Sequence, residues 1–333
     1  METKYSNLKT GPFFSVIIPV YNKGPHIHHS ISSVLNQTFQ DFEIILIDDA
    51  STDNSLEEIR KFTDPRIRIL NRSEPGPGGY AARNLGIKEA NAEWVALLDA
   101  DDIWYPEHLG TAKGLIDDYA PSIVVLSYEI DSRPGFVADF RGLLNSHDAL
   151  ILMTKKDFMQ TNALVARGDT LEEAGLFPAG KCKRGGDSDL WLRLILTKHT
   201  IAITPAVTSL WMSQNSDVVS NKENLSSIHP ATQTVRSIIN SGDYVDNAEL
   251  RVLAKISNRR SLAWFIERKS AGTFSFRDLR LLYFYYLDFK SVLKVFTLFF
   301  PLNLFNFTRM VNRYYLASMR NNTEIRNGKT FAK

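Results

Sequence analysis

Two patterns of apolar residues alternate along the first hundred positions. Phe13 to Pro19 (FFSVIIP), Phe42 to Ile47 (FEIILI) and Trp94 to Leu98 (WVALL) are nearly unbroken apolar runs, rich in β-branched and aromatic residues. Such runs predict strands buried on both faces, as in a parallel sheet. Between them, Ile27, Ile31, Val34 and Leu35 fall at helical spacing, as do Leu56, Ile59 and Phe62 behind a Ser51-Thr52-Asp53 capping cluster. Ile67 to Leu70 predicts a short third strand, and Tyr80 to Ala90 a helix carrying Ala81, Ala82, Leu85 and Ile87. Strands alternating with helices predict a doubly wound, mostly parallel sheet with helices on both faces.

Residues 120–210 are less regular. Ser122 to Tyr128 and Ile201 to Val207 predict further strands, and Leu190 to Leu196 a helix. From about 230 the pattern turns helical, over Thr234 to Ile239, Leu250 to Ile266, Phe276 to Leu287, Ser291 to Phe300 and Phe307 to Met319. The polar stretch Asn215 to Ser226 is expected to be a mobile loop. There is no internal repeat and no low-complexity segment.

The chain has 333 residues, 44% of them apolar, which excludes wholesale disorder and suffices for a large core. A single cysteine, Cys182, cannot form an internal disulfide and points to a reducing, cytoplasmic compartment. The first twelve residues are polar, so no secretory leader is expected. The net charge of +2 hides a polarised chain: residues 251–333 hold 16 basic against 4 acidic residues, or +12, and the remainder sums to −10. An acidic body with a basic tail suggests two tasks, with an anionic surface as partner for the tail.

Open α/β sheets bind ligands beyond the carboxyl ends of their strands. The acidic residues gather there: Asp48-Asp49 after the second strand, Asp99-Ala100-Asp101-Asp102 after the fourth. Side by side they repel one another unless a cation or a donor-rich ligand intervenes. A hard divalent ion shared with phosphate oxygens resolves the conflict. Turn initiation or helix capping is the plainer reading of each cluster alone.

The segments Ser15-Val16-Ile17-Ile18-Pro19-Val20-Tyr21-Asn22, Ser33 to Thr38, Ile47 to Asp53, Ala82-Arg83-Asn84-Leu85-Gly86, Leu98 to Asp102 and Gly186 to Arg193 closely resemble, in order and spacing, family 2 glycosyltransferases. The resemblance covers roughly residues 13–220. It implies a GT-A type fold over 13–225, with a nucleotide-binding half (13–105) and an acceptor-binding half (106–225), followed by a helical C-terminal region (226–333). It also implies inverting transfer from a nucleotide-diphospho-sugar, with a uridine diphosphate sugar expected, to a glycan or lipid-linked acceptor in polysaccharide synthesis. Tyr21 matches the position beside the nucleotide base, and Asp49, next to Asp48, the carboxylate that accepts from the base. Pro19 and Arg83 join the donor site, Arg83 either reaching a phosphate or lying on its helix surface. Asp99 and Asp101 match the Asp-x-Asp motif: Asp101 as ligand of Mn²⁺ or Mg²⁺, Asp99 near the ribose or the metal. Asp187 matches the catalytic base, against a simple helix cap as the plainer role. Asp189 and Trp191 are acceptor-side candidates.

Two departures stand out. The base motif usually reads Glu-Asp, and here Gly186 precedes Asp187. Where the family often carries an Arg and a His over the diphosphate, this chain has Trp211 to Ser216 with Gln214. They leave room for a catalytically silent nucleotide-sugar or glycan-binding module. A sugar nucleotidyltransferase would need a Gly-rich triphosphate loop after the first strand, which Tyr21 to Gly24 does not supply.

Among weaker features, Gly76-Pro77-Gly78-Gly79 lacks dinucleotide-loop spacing and is a turn that could approach the donor. His26, His28 and His29 lack metal-ligand spacing and are expected at the surface. Lys155-Lys156 and Lys181 to Arg184 are short basic clusters, the second close enough to Asp187 to meet an anionic acceptor. Residues 283–315 hold twelve Phe and Tyr, punctuated by Lys290, Lys294, Arg309 and Arg313. Too broken for a transmembrane helix, this tail suits a helix in a membrane interface on the cytoplasmic face; a subdomain packed on the core is the alternative. No nucleic-acid motif appears.

Overall fold

The computed structural model describes residues 11–215, 224–244 and 246–300. The expected helix Phe307 to Met319, the Arg309 and Arg313 part of the tail and most of the 215–226 loop lie outside the described residues.

The chain alternates as expected at first: β1 (Phe14–Val20), α1 (Gly24–Leu35), β2 (Phe42–Asp48), α2 (Ser55–Arg60), β3 (Ile67–Asn71), α3 (Tyr80–Glu89) and β4 (Trp94–Leu97). There follow β5 (Ile103–Trp104), α4 (His108–Tyr119), β6 (Ile123–Ile130), β7 (Arg133–Phe136), β8 (Gly142–Leu144), α5 (Ser146–Met153), β9 (Leu164–Arg167), α6 (Gly168–Glu173), α7 (Gly186–Leu196) and β10 (Ile201–Trp211). Helices Pro230–Ser241, Asn247–Ser270 and Phe289–Thr297 complete the described residues.

All strands join one sheet of order β3-β2-β1-β4-β9-β6-β10-β5, with β7 on β6 and β8 on β10. The expectation of a mostly parallel sheet holds for β3-β2-β1-β4, whose three pairings are all parallel. Beyond β4 the sheet becomes mixed. Strand β9 inserts antiparallel between β4 and β6, and β10 runs parallel to β6 but antiparallel to β5 and β8. Antiparallel neighbours need no crossover helix, which is why the regular alternation of the first half fades there.

Every residue of β2 is buried, as is all of β4, so helices must cover both faces. Helix α3 lies on β1 and β2 so closely that a methyl group at Gly86 would stand 2.5 Å from Ile17 Cγ2 and 2.8 Å from Ile47 Cδ1. The buried Glu43 of β2 is a structural carboxylate. Ser15 Oγ donates to it at 2.6 Å and the Asn91 amide at 2.7 Å, and Arg68 pairs with it at 3.0 Å. Burial pushes its pKa up, but these donors outweigh burial and hold it below the ordinary value.

Two local expectations are corrected. The Ser51-Thr52-Asp53 cluster does not cap α2, which starts behind Asn54. Instead Asp53 accepts from the Ser55 amide at 2.9 Å and the Gly24 amide at 3.0 Å, tying the starts of α2 and α1 together. The expected helix Phe276 to Leu287 is two 3₁₀ turns, Phe276–Leu281 and Phe284–Tyr286. The Asn258 side chain captures the backbone between them: Tyr283 N donates to Asn258 Oδ1 at 2.8 Å, and Asn258 Nδ2 donates to Tyr283 O at 3.0 Å. A long-range side chain thus takes the groups a continuous helix would use.

The C-terminal helices continue the main core through Ala231, Val235, Leu253 and Ile256. A second small core of Leu262, Phe265, Leu281, Leu282 and Leu298 anchors the aromatic segment to helix Asn247–Ser270. That segment still exposes Phe284, Tyr285, Phe289, Phe296, Phe299 and Phe300. Among the described residues no helix is long and apolar enough to cross a membrane.

Gly86→Ala tests the close approach of α3. Alanine favours an exposed helix over glycine by about 1 kcal/mol. Overpacking against Ile17 and Ile47 should instead destabilise by about 1–3 kcal/mol in urea unfolding. A stabilised variant would contradict the packing.

Candidate active site

Strand register builds the first part of the site. Val20 pairs with Asp48, and Asp48 with Asn71, so the chains leave β1, β2 and β3 side by side. The Asp49 amide donates to Val20 O at 2.7 Å and the Arg72 amide to Asp48 O at 2.9 Å, carrying the ladder one residue past the strands. Beyond β4, Leu98 N donates to Ile17 O at 3.1 Å, and Asp99 follows. Parallel pairing therefore sets Tyr21, Asp49, Arg72 and Asp99 along one edge of the sheet.

A cleft of about 1280 Å³ opens over this edge, and Pro19, Tyr21, Asp49, Arg83, Asp99, Asp101, Asp187 and Trp191 all line it. Tyr21 stands at the rim, about half exposed. Asp49 is buried, pairs with Arg72 and accepts from the Gly76 amide at 3.0 Å. Asp48 is buried, accepts from the Ser51 amide at 3.2 Å and does not line the cleft; it holds the turn that aims Asp49. Of the two roles open to Arg83, the structure shows the inward one: it pairs with Asp99 and donates to Gly78 O at 3.0 Å. The Gly76 to Gly79 turn does border the cleft, with Gly78 and Gly79 at positive φ. A Cβ at Gly78 would meet Lys183 O at 2.6 Å.

Electrostatics separates this edge from the satisfied Glu43. Asp101 has its pKa raised by burial and by Asp99, against the pull of Lys23, whose Nζ lies 2.9 Å away. Asp102 is pushed well above the ordinary carboxylate range by burial, with Asp99 and Asp101 adding to it. One Asp102 oxygen accepts from the Met212 amide at 2.9 Å, and the other is buried with no hydrogen-bond partner among the described residues. Asp99 raises Asp101, both raise Asp102, and one Asp102 oxygen is unpartnered among the described residues, so the donor set fits a divalent cation. No group of three or more potential metal ligands occurs among the described residues. Asp99 and Asp101 are a two-carboxylate set of the kind that holds Mg²⁺ or Mn²⁺ together with substrate phosphates.

The second part of the site comes from α7. This helix begins at Gly186, four residues before the predicted start, which places Asp187 in its first turn. Asp187 Oδ1 accepts from the Ser188 amide at 2.8 Å, leaving the carboxylate half-buried at the cleft. Tyr80, buried at the start of α3, accepts from the Gly186 amide at 2.8 Å and so holds the end that carries Asp187. Burial raises the Tyr80 pKa, and Asp187 adds to it, which keeps the phenol protonated. The departure at Gly186 now has a cause. A Cβ there would lie 2.7 Å from Pro178 Cγ and 2.8 Å from the Tyr80 ring, so Tyr80 fills the space a larger residue would need.

The acceptor-side expectation for Asp189 is corrected. Asp189 is buried, pairs with Arg193 at 2.9 Å and accepts from Thr234, so it ties α7 to the helix Pro230–Ser241 instead of facing the cleft. Trp191 is almost wholly buried yet contributes to the lining. His28 and His29 are exposed as expected, with His26 half-buried. Lys23, Arg72 and Tyr80 escaped the sequence reading. Arg72 directly follows β3 and Lys23 stands three residues after β1, placements that could have found them. Arg259, Arg260, His229 and Trp264 also line the cleft, and nothing local in the sequence marks them.

A nucleotide-scale cleft over the carboxyl edge of a mixed sheet, with an Asp-x-Asp pair at that edge and a carboxylate on a facing helix, is the architecture of the GT-A class. The chain shares its fold with the crystal structure of S. aureus TarS in complex with UDP-GlcNAc. The TM-score is 0.64 at 18% identity, over 81% of this chain and 83% of that one. It also shares its fold with the mannosyltransferase PcManGT of Pyrobaculum calidifontis in complex with GDP-Man and Mn²⁺, with a TM-score of 0.52 at 18% identity, over 84% and 82% of the two chains. Residues 15–161, just under half of the chain, match the model of glycosyl transferase family 2. Among curated relatives, it is 36% identical over 126 residues to the Escherichia coli UDP-Glc:α-D-GlcNAc-diphosphoundecaprenol β-1,3-glucosyltransferase WfgD. That match covers 38% of this chain and 49% of WfgD. The chain spans between about a third and a half of the length of the curated relatives it first matches.

Gly186→Ala should cost about 1–3 kcal/mol in urea unfolding through overpacking. Paired with Tyr80→Ala, which clears the ring, the loss should be smaller than the sum of the two single variants. Strict additivity would show that Tyr80 does not occupy that space.

Proposed function

We propose that this chain transfers a sugar from a nucleotide diphosphate sugar to a hydroxyl acceptor, with inversion and with Asp187 as general base. The observation that carries this reading is the meeting of Asp49, Asp99, Asp101 and Asp187, drawn from three distant segments, in one cleft. Support also comes from the TarS structures with UDP-GlcNAc and with UDP, and from the sugar donor named for WfgD. In this reading residues 13–105 hold the nucleotide and residues 106–225 the acceptor.

Tyr21 at the rim covers the base, which Asp49, steered by Arg72 and Gly76, accepts from. Asp99 and Asp101 would hold a divalent cation, which would supply Lewis acidity to the departing diphosphate. Arg83, fixed by Asp99, offers a cation beside the same oxygens. The acceptor hydroxyl gives its proton to Asp187 as its oxygen bonds to the anomeric carbon, and the bond from that carbon to the diphosphate oxygen breaks on the opposite face. Tyr80, through the Gly186 amide, keeps Asp187 in place.

We further place the enzyme against an anionic lipid surface. Exposed Phe289, Phe296, Phe299 and Phe300 stand beside exposed Lys290 and Lys294, the pairing of apolar and basic groups that suits a membrane interface.

Asp187→Asn should lower turnover of UDP-Glc, UDP-GlcNAc or GDP-Man, whichever the wild type consumes, by about 10²–10⁴. UDP affinity, measured by calorimetry, should stay within about twofold. Undiminished turnover would remove Asp187 as the base. A wild type that binds UDP yet turns over no donor would favour a silent binding module. In vesicle sedimentation, Phe289→Ser with Phe296→Ser should release the protein from phosphatidylglycerol vesicles; a wild type that stays in the supernatant would overturn the membrane contact.

A further inference from the structure

The same cleft also has a basic wall. Lys155, Lys156, Lys183, Arg184, Arg259 and Arg260 line it, against only Asp157 and Glu267. Arg259 and Arg260 both close on the single carboxylate of Asp157, at 2.8 and 2.5 Å, and Arg184 takes Glu267 at 2.7 Å. Among the described residues Lys155 and Lys183 have no carboxylate at ion-pair distance. Six cations facing two carboxylates leave a formal excess of four positive charges.

Arg260 is the most confined of them. Its Nε is buried without a hydrogen-bond partner among the described residues. Burial works against its charge, with Asp157 and Asp187 opposing that loss. His229 beside it is held neutral by burial, and the charge of Arg260 adds to that effect, so no further cation comes from there. Confined, underpaired guanidinium groups are costly unless an anion completes their hydrogen bonds.

The donor end has the opposite balance, with Asp49, Asp99 and Asp101 against Lys23 and Arg83. Asp187 lines the same cleft, and its charge acts on both Arg83 and Arg260. A general base stands at the acceptor hydroxyl, on the face of the anomeric carbon opposite the leaving group. The cationic wall, distinct from the edge of Asp99 and Asp101, is therefore taken as the acceptor's side.

We propose that Arg259, Arg260 and Lys155 form a subsite for a phosphate group carried by the acceptor, which presents its hydroxyl to Asp187. This rests on Asp187 being the base and deepens that reading by naming the acceptor's class. The phosphate belongs either to a soluble polyol phosphate or to a lipid-linked phosphate. Both put a dianion or diester within reach of the same guanidinium groups.

The test fills the donor end first. With UDP and Mn²⁺ saturating, glycerol 1-phosphate and geranyl phosphate are titrated into the full chain and followed by ³¹P NMR and calorimetry. Wild type should bind at least one probe; preference for geranyl phosphate assigns the lipid-linked source, and parity the soluble one. Arg260→Gln should weaken that probe roughly tenfold or more, the loss expected for one charge-assisted hydrogen bond, without changing UDP affinity. Lys155→Gln, at an exposed position, should weaken it severalfold. Wild type that binds UDP but neither probe, or variants that hold the probe as tightly as wild type, would overturn the subsite. If UDP itself does not bind, the donor reading fails, and the same probes titrated without UDP still decide the subsite by the same comparison.

Discussion

Carboxylates crowded at the carboxyl edge of the parallel strands are the constraint around which the rest of the structure is arranged. Asp99, Asp101 and Asp102 follow β4 within five residues, and burial together with repulsion from Asp99 raises both Asp101 and Asp102. A fold does not need this. Glu43, also buried in the same sheet, is surrounded by donors and is lowered instead. The difference is one of completion: Glu43 has its counter-groups within the protein, while the β4 cluster has only part of them, in Arg83 and Lys23. In the reading proposed above, ligand charge completes the balance.

Packing then fixes what faces that cluster. Tyr80 starts the helix that lies over β1 and β2, and its hydroxyl reaches the first amide of α7. One side chain thereby connects the parallel strands to the helix bearing Asp187. The same ring excludes any side chain at position 186, so the loss of the family's usual acidic neighbour and the presence of a tyrosine at position 80 are one structural fact. On the far side, helix Asn247–Ser270 brings Arg259 and Arg260 into the cleft while its later turns hold the aromatic segment through Leu262 and Phe265. The basic wall of the cleft and the aromatic segment are thus joined by one helix.

The parallel half was legible because its signals are local. Continuous β-branched runs marked β1, β2 and β4 within a residue or two, and the motif aspartates sit at strand ends where register alone brings them together. The mixed half was less so, since β9 is four residues long and its antiparallel insertion depends on neighbours distant in sequence. Asp189 looked like an exposed acid near the base; Arg193 four residues on was a readable helical partner, but Thr234 lies on another helix whose packing no local pattern reveals. The break at Leu282 depends on Asn258, more than twenty residues earlier. Arg260 carries no motif; only the tertiary fold sets it across from Asp187.

The direct measurement is calorimetric titration of UDP into the full chain with Mn²⁺ present, with Mn²⁺ chelated, and into Asp101→Asn with Mn²⁺ present. The account predicts that Mn²⁺ tightens UDP binding at least tenfold and that Asp101→Asn abolishes the gain. UDP binding of equal strength in all three titrations would show that the carboxylate edge does not complete its charge through a cation and the diphosphate.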